Sequence, residues 1–167
     1  MFDFGTIDSI RAGGFTGFMT VAHLRDTRLK EVPDLPGVYM VLAEPYLVPK
    51  FLPVSVGGHF KGRDPTVPIA ELEANWVAGA IVLNIGKAGG SGTSATLRKR
   101  LRQYLSFGSG KPAAHRGGRY IWQLESSDQL VLCWLTTLKD EPRDVEARLI
   151  ASFRQTYGKR PLANLQD

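Results

Sequence analysis

The sequence predicts an α/β (α+β) fold: a small mixed β-sheet of about three core strands flanked by helices. Three observations predict it. Short runs of strand formers bounded by turn residues occupy 38–42, 80–85 and 130–137. Two stretches repeat their apolar residues with helical period, Leu97, Leu101, Tyr104 and Leu105 in one, Val145, Leu149, Ile150, Phe153 and Tyr157 in the other. The chain has 167 residues, 43% of them hydrophobic. That is one domain's length, enough to bury roughly two-thirds of the unfolded surface.

Taken in order, residues 1–33 form an N-terminal extension with a weak helical pattern over 18–24 and a turn at Pro33-Asp34. Pro36-Gly37 introduces the first strand at 38–42. An insertion over about 43–80 follows. Pro45, Pro49, Pro53, Pro65 and Pro68 with Gly57-Gly58 and Gly62 make its first part irregular, and 71–76 read as a short helix. The second strand, 80–85, ends at Gly86 and the loop Gly89-Gly90-Ser91-Gly92. A helix over 96–105 leads to a basic loop at 107–118, an extended piece at 119–124 and the third strand at 130–137. Asp140 offers an N-cap, Pro142 suits a first helical turn, and the last helix runs to Tyr157 with Gly158 as its stop. The whole chain reads as a single domain with its core at about 36–165.

Charge narrows the partner. Lys and Arg number 21 against 16 Asp and Glu, a net charge of +5. From Lys87 through Arg98, Lys99, Arg100, Arg102, Lys111 and Arg116 to Arg119 no acidic residue intervenes. A one-signed stretch attracts polyanions, of which nucleic acid is the common intracellular one; a solvated helix face is the plainer reading of the same residues. No apolar run is long enough to span a membrane, and the N-terminus lacks the pattern of a secretory signal, so a cytoplasmic protein is expected. Cys133, the single cysteine, excludes a disulfide framework and a multi-cysteine zinc site. His23, His59 and His115 share no metal-ligand spacing.

Candidate chemistry gathers on the two helices. Glu146 projects from inside the apolar arc of the last helix, where a carboxylate is costly unless a cation meets it. Either a neighbouring arginine pairs with it or it holds a metal at the floor of a cleft. Arg100 and Tyr104 stack four apart on one border of the other helix, and Arg98 and Arg102 on the opposite border, placed for phosphate contacts. The glycine-rich loop at 86–93 fits neither the P-loop nor the dinucleotide pattern, so a nucleotide-binding domain is the weakest of the readings.

Gly37-Val38-Tyr39, Asn84-Ile85-Gly86-Lys87-Ala88, Leu97-Arg98-Lys99-Arg100-Leu101, Glu146 and Pro161-Leu162-Ala163-Asn164, in that order, resemble the motifs of the GIY-YIG nuclease domain. That domain occurs in the incision subunit of bacterial nucleotide excision repair, in homing endonucleases and in some restriction enzymes. The resemblance covers about 36–165 and implies a metal-dependent endonuclease acting on the DNA backbone. It implies Tyr39 orienting water, Lys87 beside the scissile phosphate, Arg100 stabilising developing charge, and Tyr104 at a position where the family carries Tyr or His. It implies Glu146 as the ligand of one Mg²⁺ (or Mn²⁺). Lys87 and the metal would lower the pKa of Tyr39. Gly86 and Asn164 would shape and close the site, while Arg98, Arg102, Lys111, His115, Arg116 and Arg119 would contact DNA. Asn84 stands where the second motif has its tyrosine, so the same fold acting as a catalytically weak DNA-binding module is the alternative. A homodimer is one way for a single site to cut both strands.

Overall fold

The computed structural model describes residues 1–165. Five α-helices and four strands are present among them: α1 (Ile7–Ala12), β1 (Thr16–Thr20), α2 (Val21–Asp26), β2 (Gly37–Leu42), α3 (Ile69–Asn75), β3 (Val82–Ala88), α4 (Leu97–Gly108), β4 (Val131–Thr136) and α5 (Pro142–Tyr157). The α+β class is as expected. The sheet runs β1-β4-β2-β3, and every pairing is antiparallel, not mixed. No helix among the described residues is long and apolar enough to cross a membrane.

The three expected strands are β2, β3 and β4. β2 lies between the other two and is buried along its whole length, which is why its run Gly-Val-Tyr-Met-Val-Leu lacks a polar face. Alternation sends Val38, Met40 and Leu42 to one face, beside α5 and the N-terminal segment. Tyr39 and Val41 go to the other, beneath α4. Across β3 the register pairs Tyr39 with Gly86 and Val38 with Lys87.

The N-terminal region differs from expectation. Of the stretch 18–24 expected to be helical, residues 18–20 belong instead to β1, and the helix spans 21–26. A bulge between Gly17 and Met19, with Phe18 at φ 55°, breaks the period-2 pattern that would have marked the strand. Phe4, Ile10 and Phe15 pack into the same core cluster as Phe153, so the extension belongs to the domain's interior.

Two further corrections concern 116–123 and the start of α5. Arg116–Gln123 is a 3₁₀ helix, which takes in the end of the expected loop at 107–118 and most of the piece at 119–124 expected to be extended. Gly118 lets this segment approach α4's aromatic side chains closely: a Cβ there would sit 2.9 Å from Tyr104. The N-cap of α5 is Glu141, one residue after the expected Asp140, and its first residue is Pro142; Gly158 ends the helix at φ 73°, as expected.

The insertion is docked despite its prolines. Gln123, fully buried, is the clamp: its Nε2 donates to the carbonyls of Leu52 (2.9 Å) and Val67 (2.8 Å), and its Oε1 accepts from Val67 N–H (2.8 Å). Backbone bonds from Leu52 N–H to Gln123 O and from Gly58 N–H to Phe107 O continue the contact.

Candidate active site

β3 is an edge strand, and the chain's last described residues cover part of that edge. Ala163 N–H donates to Leu83 O at 2.9 Å. The Asn164 side chain then imitates a neighbouring strand: its Oδ1 accepts from Ile85 N–H at 2.9 Å and its Nδ2 donates to Ile85 O at 2.7 Å. Beyond this strap, where β3 continues through Gly86 and Lys87, a cleft of about 670 Å³ opens. Because Tyr39 and Lys87 lie on opposite faces of the sheet, the cleft wraps around the strand's end and is reached from both layers.

Four elements deliver its charged and phenolic groups: Tyr39 from β2, Lys87 from β3, Arg100 from α4 and Glu146 from α5. Asn84, Gly86, His115, Arg119 and Asn164 also line it. Gly86 is needed opposite Tyr39, since a Cβ there would lie 2.3 Å from the phenol ring. α4 is set by the loop before β2: Leu97 N–H donates to Leu35 O, Arg98 N–H to Pro33 O, and Thr96 Oγ1 to Asp34 at 2.6 Å. These bonds occupy the helix's first donors, so what α4 offers the cleft is the Arg100 guanidinium. α5 is tied to the glycine-rich loop, where Ser91 donates its N–H (3.1 Å) and its hydroxyl (2.6 Å) to Glu141. With those donors committed, the loop is no phosphate cradle at Ser91.

Burial dominates the electrostatics. It pushes the Tyr39 phenol up to about 12, Glu146 opposing ionisation and Arg100 partly offsetting it. The expected lowering of this group is therefore reversed among the protein's own residues. Glu146 is also raised above the ordinary carboxylate range by desolvation, against the pull of Lys87, Arg100 and Arg143. His115 is driven down to about 3 by burial and by the nearby Arg100. At neutral pH the site thus holds a protonated phenol and a neutral imidazole beside Glu146, Lys87 and Arg100.

Several expected site residues stand elsewhere. Tyr104 is fully buried behind Tyr39, its ring at 5.8 Å from that ring and its hydroxyl accepting from Asn84 Nδ2 at 3.3 Å. It packs behind the cleft and is not among the residues that line it. Arg98 is turned away, its guanidinium donating to Val32 O at 2.9 Å and Lys30 O at 3.5 Å. Arg102 and Lys111 are exposed outside the cleft lining. His115, expected to meet DNA, does line the cleft, but at only 3% exposure it stands in the cleft wall. The Arg116 side chain lies outside what the structure describes. Gln123 was not a candidate from the sequence; a lone Gln beside Trp122 carries no signal of the clamp it forms.

Among the described residues no three His, Cys, Asp or Glu side chains cluster as metal ligands. A closed site of zinc type is therefore absent from them. A single partly buried acid whose burial outweighs the pull of Lys87, Arg100 and Arg143 fits a different case. Mg²⁺ is commonly held by one or two carboxylates, with water and substrate phosphate oxygens completing its shell. Comparison of the chain with models of known families, with curated proteins and with solved structures finds no match. What defines its class is an antiparallel α+β domain whose edge strand ends in a cationic cleft holding one carboxylate.

Proposed function

We propose that the protein is a metal-dependent endonuclease of the cytoplasm that hydrolyses DNA phosphodiester bonds in the cleft at the end of β3. The observation that supports this reading is the convergence of Tyr39, Lys87, Arg100 and Glu146, from four separate elements, on one solvent-reachable hollow. Phosphodiester hydrolysis needs that combination: donors to hold and neutralise a phosphate, a group to orient water, and a carboxylate to hold a cation. Lys87 and Arg100 carry donors only, which suits phosphate oxygens. Tyr39 keeps its proton near neutral pH, so it positions the attacking water through a hydrogen bond and does not act by ionising. Glu146 would hold one Mg²⁺ (or Mn²⁺). When bound, such an ion offsets charge on the phosphate and leaving oxygens and acidifies bound water. Water attacks phosphorus and loses a proton to solvent, the bond to the leaving oxygen breaks, that oxygen takes a proton from solvent, and Arg100 meets the negative charge that builds.

Glu146→Gln tests the assignment. Plasmid nicking in Mg²⁺ is expected to fall by about a hundredfold or more, as when one charge-stabilising group is lost. DNA affinity should stay near that of the parent chain, because Lys87 and Arg100 remain. An unchanged nicking rate would remove Glu146 and the mechanism with it. A DNA-binding module without turnover is the second reading, favoured by Asn84 in place of a phenol and by its amide being committed to Tyr104. It predicts plasmid binding with no nicking by the parent chain at any Mg²⁺ concentration.

A further inference from the structure

Tyr39 and His115 are far apart in sequence yet meet in the cleft wall, with Tyr39 Oη 3.3 Å from His115 Nε2. His115 is held there by its surroundings: the edge of its ring packs against Tyr104 at 4.4 Å between centroids, and Gly118 lies beside its Nδ1. Both partners are buried, at 2% and 3% exposure, and both line the cleft. A polar pair placed so deep has a cost unless its hydrogen bond is made in one defined direction.

The direction follows from the third neighbour. Arg100 lies beside the phenol oxygen, and a guanidinium has donors but no acceptor. Toward Arg100, therefore, Tyr39 Oη can only accept. Its own proton is left for another partner, and His115 Nε2 lies 3.3 Å away. With the phenol as donor to His115, Nε2 is the unprotonated nitrogen and Nδ1 carries the ring proton.

We propose that His115 is a positioning residue for Tyr39. It accepts the phenol's proton in a hydrogen bond, fixing the chain Arg100 N–H to Tyr39 Oη and Tyr39 O–H to His115 Nε2. The remaining lone pair of Tyr39 Oη is thereby turned to the cleft, where it accepts from the water that attacks phosphorus. The phenol keeps its proton in this arrangement, and the attacking water gives up its own to surrounding solvent. The inference rests on the nuclease reading and adds to it the group that stands in for the missing second-motif tyrosine. Asn84 cannot fill that role, since its Nδ2 is engaged by Tyr104.

The test combines nicking kinetics with a spectrum that needs no activity. His115→Leu should lower kcat roughly a hundredfold with KM little changed, the scale of losing one oriented contact near the reacting atoms. His115→Gln, whose amide reaches the same point, should recover at least a tenth of the parent rate. Tyr39→Phe combined with His115→Leu should be no slower than Tyr39→Phe alone, because the two act as one unit. In the ¹⁵N-histidine spectrum of the folded parent chain, His115 Nε2 should appear as an unprotonated acceptor whose signal moves in Tyr39→Phe. A protonated Nε2 overturns the proposal whatever the activity. A His115→Leu variant that nicks like its parent, while Tyr39→Phe is slow, overturns the role of His115 and leaves the nuclease reading standing. No nicking by the parent chain overturns both.

Discussion

The two faces of the sheet bury different chemistry. Toward α5 the filling is apolar: Val38, Met40, Leu42, Ile85 and Cys133 meet Phe4, Ile10, Phe15, Leu149, Ile150 and Phe153. Toward α4 it is aromatic and polar: Tyr39, Tyr104, Tyr120, Trp122 and Trp134 surround or adjoin the buried Asn84, His115 and Gln123. On the first face stability is spread over many small contacts, and a missing methyl is felt in proportion to its volume. On the second it is concentrated in a few hydrogen bonds, each of which strands a buried group if lost. The cleft opens where these layers meet at the end of β3. Its tyrosine and arginine come from the polar side, and its carboxylate comes from the rim of the apolar one.

The sharpest way to break this contrast is to delete one side chain from each face. Gln123→Leu keeps the volume but strands Val67 N–H and the carbonyls of Leu52 and Val67. A loss of about 3 kcal/mol is expected, since each stranded buried group costs about 1–3 kcal/mol. Ile150→Val on the other face should cost about 1 kcal/mol. Urea denaturation of both variants checks the pair. Equal losses would mean that the insertion is not held by its clamp and that the two faces share one kind of energetics.

Acid sharpens the same contrast at a single residue. His115 has its proton affinity driven down to about 3 by burial and Arg100, from an ordinary value of 6.5. Below about 6.5 the unfolded chain takes a proton that the folded chain refuses until about 3, so this residue's contribution to stability falls as pH falls across that window. His115→Gln removes the titration. Its melting temperature should decline less steeply than the parent's between those two values. Parallel declines would show that His115 is solvated and not buried beside Tyr39.

How much of this could be read beforehand follows the same division. The strands β2, β3 and β4 and the helices α4 and α5 were legible because their apolar residues repeat with the period of the element. The convergence of Tyr39, Lys87, Arg100 and Glu146 was legible through the order of their motifs. β1 was not, for it pairs with a strand more than a hundred residues away and carries a bulge at Phe18 that destroys alternation. Local pattern also misjudged 119–123, which reads as extended until Tyr104 and Trp122 are seen packed against Gly118. The pairing of His115 with Tyr39 and the clamp of Gln123 depend on which buried donors lack partners, and that is settled only by the assembled fold. The same holds for Tyr104, whose helical spacing from Arg100 placed it at the site's border but not behind Tyr39.

The smallest expected effect separates cations that serve the cleft from those that serve the fold. Both Lys87 and Arg98 belong to the acid-free stretch, and the sequence gives them equal standing as phosphate contacts. In the structure Lys87 lines the cleft, whereas the Arg98 guanidinium is bonded to the carbonyls of Val32 and Lys30. Each phosphate neutralised on duplex DNA releases counterions and contributes about 0.9 to the slope of log affinity against log salt. Lys87→Ala should therefore lower that slope by about 0.9 in a titration of duplex DNA at several salt concentrations. Arg98→Ala should leave the slope unaltered and instead lower the melting temperature, because two carbonyls lose their donor. If both variants reduce the slope equally, DNA lies across the outer face of α4 as well as in the cleft, and the division between binding and structural cations fails.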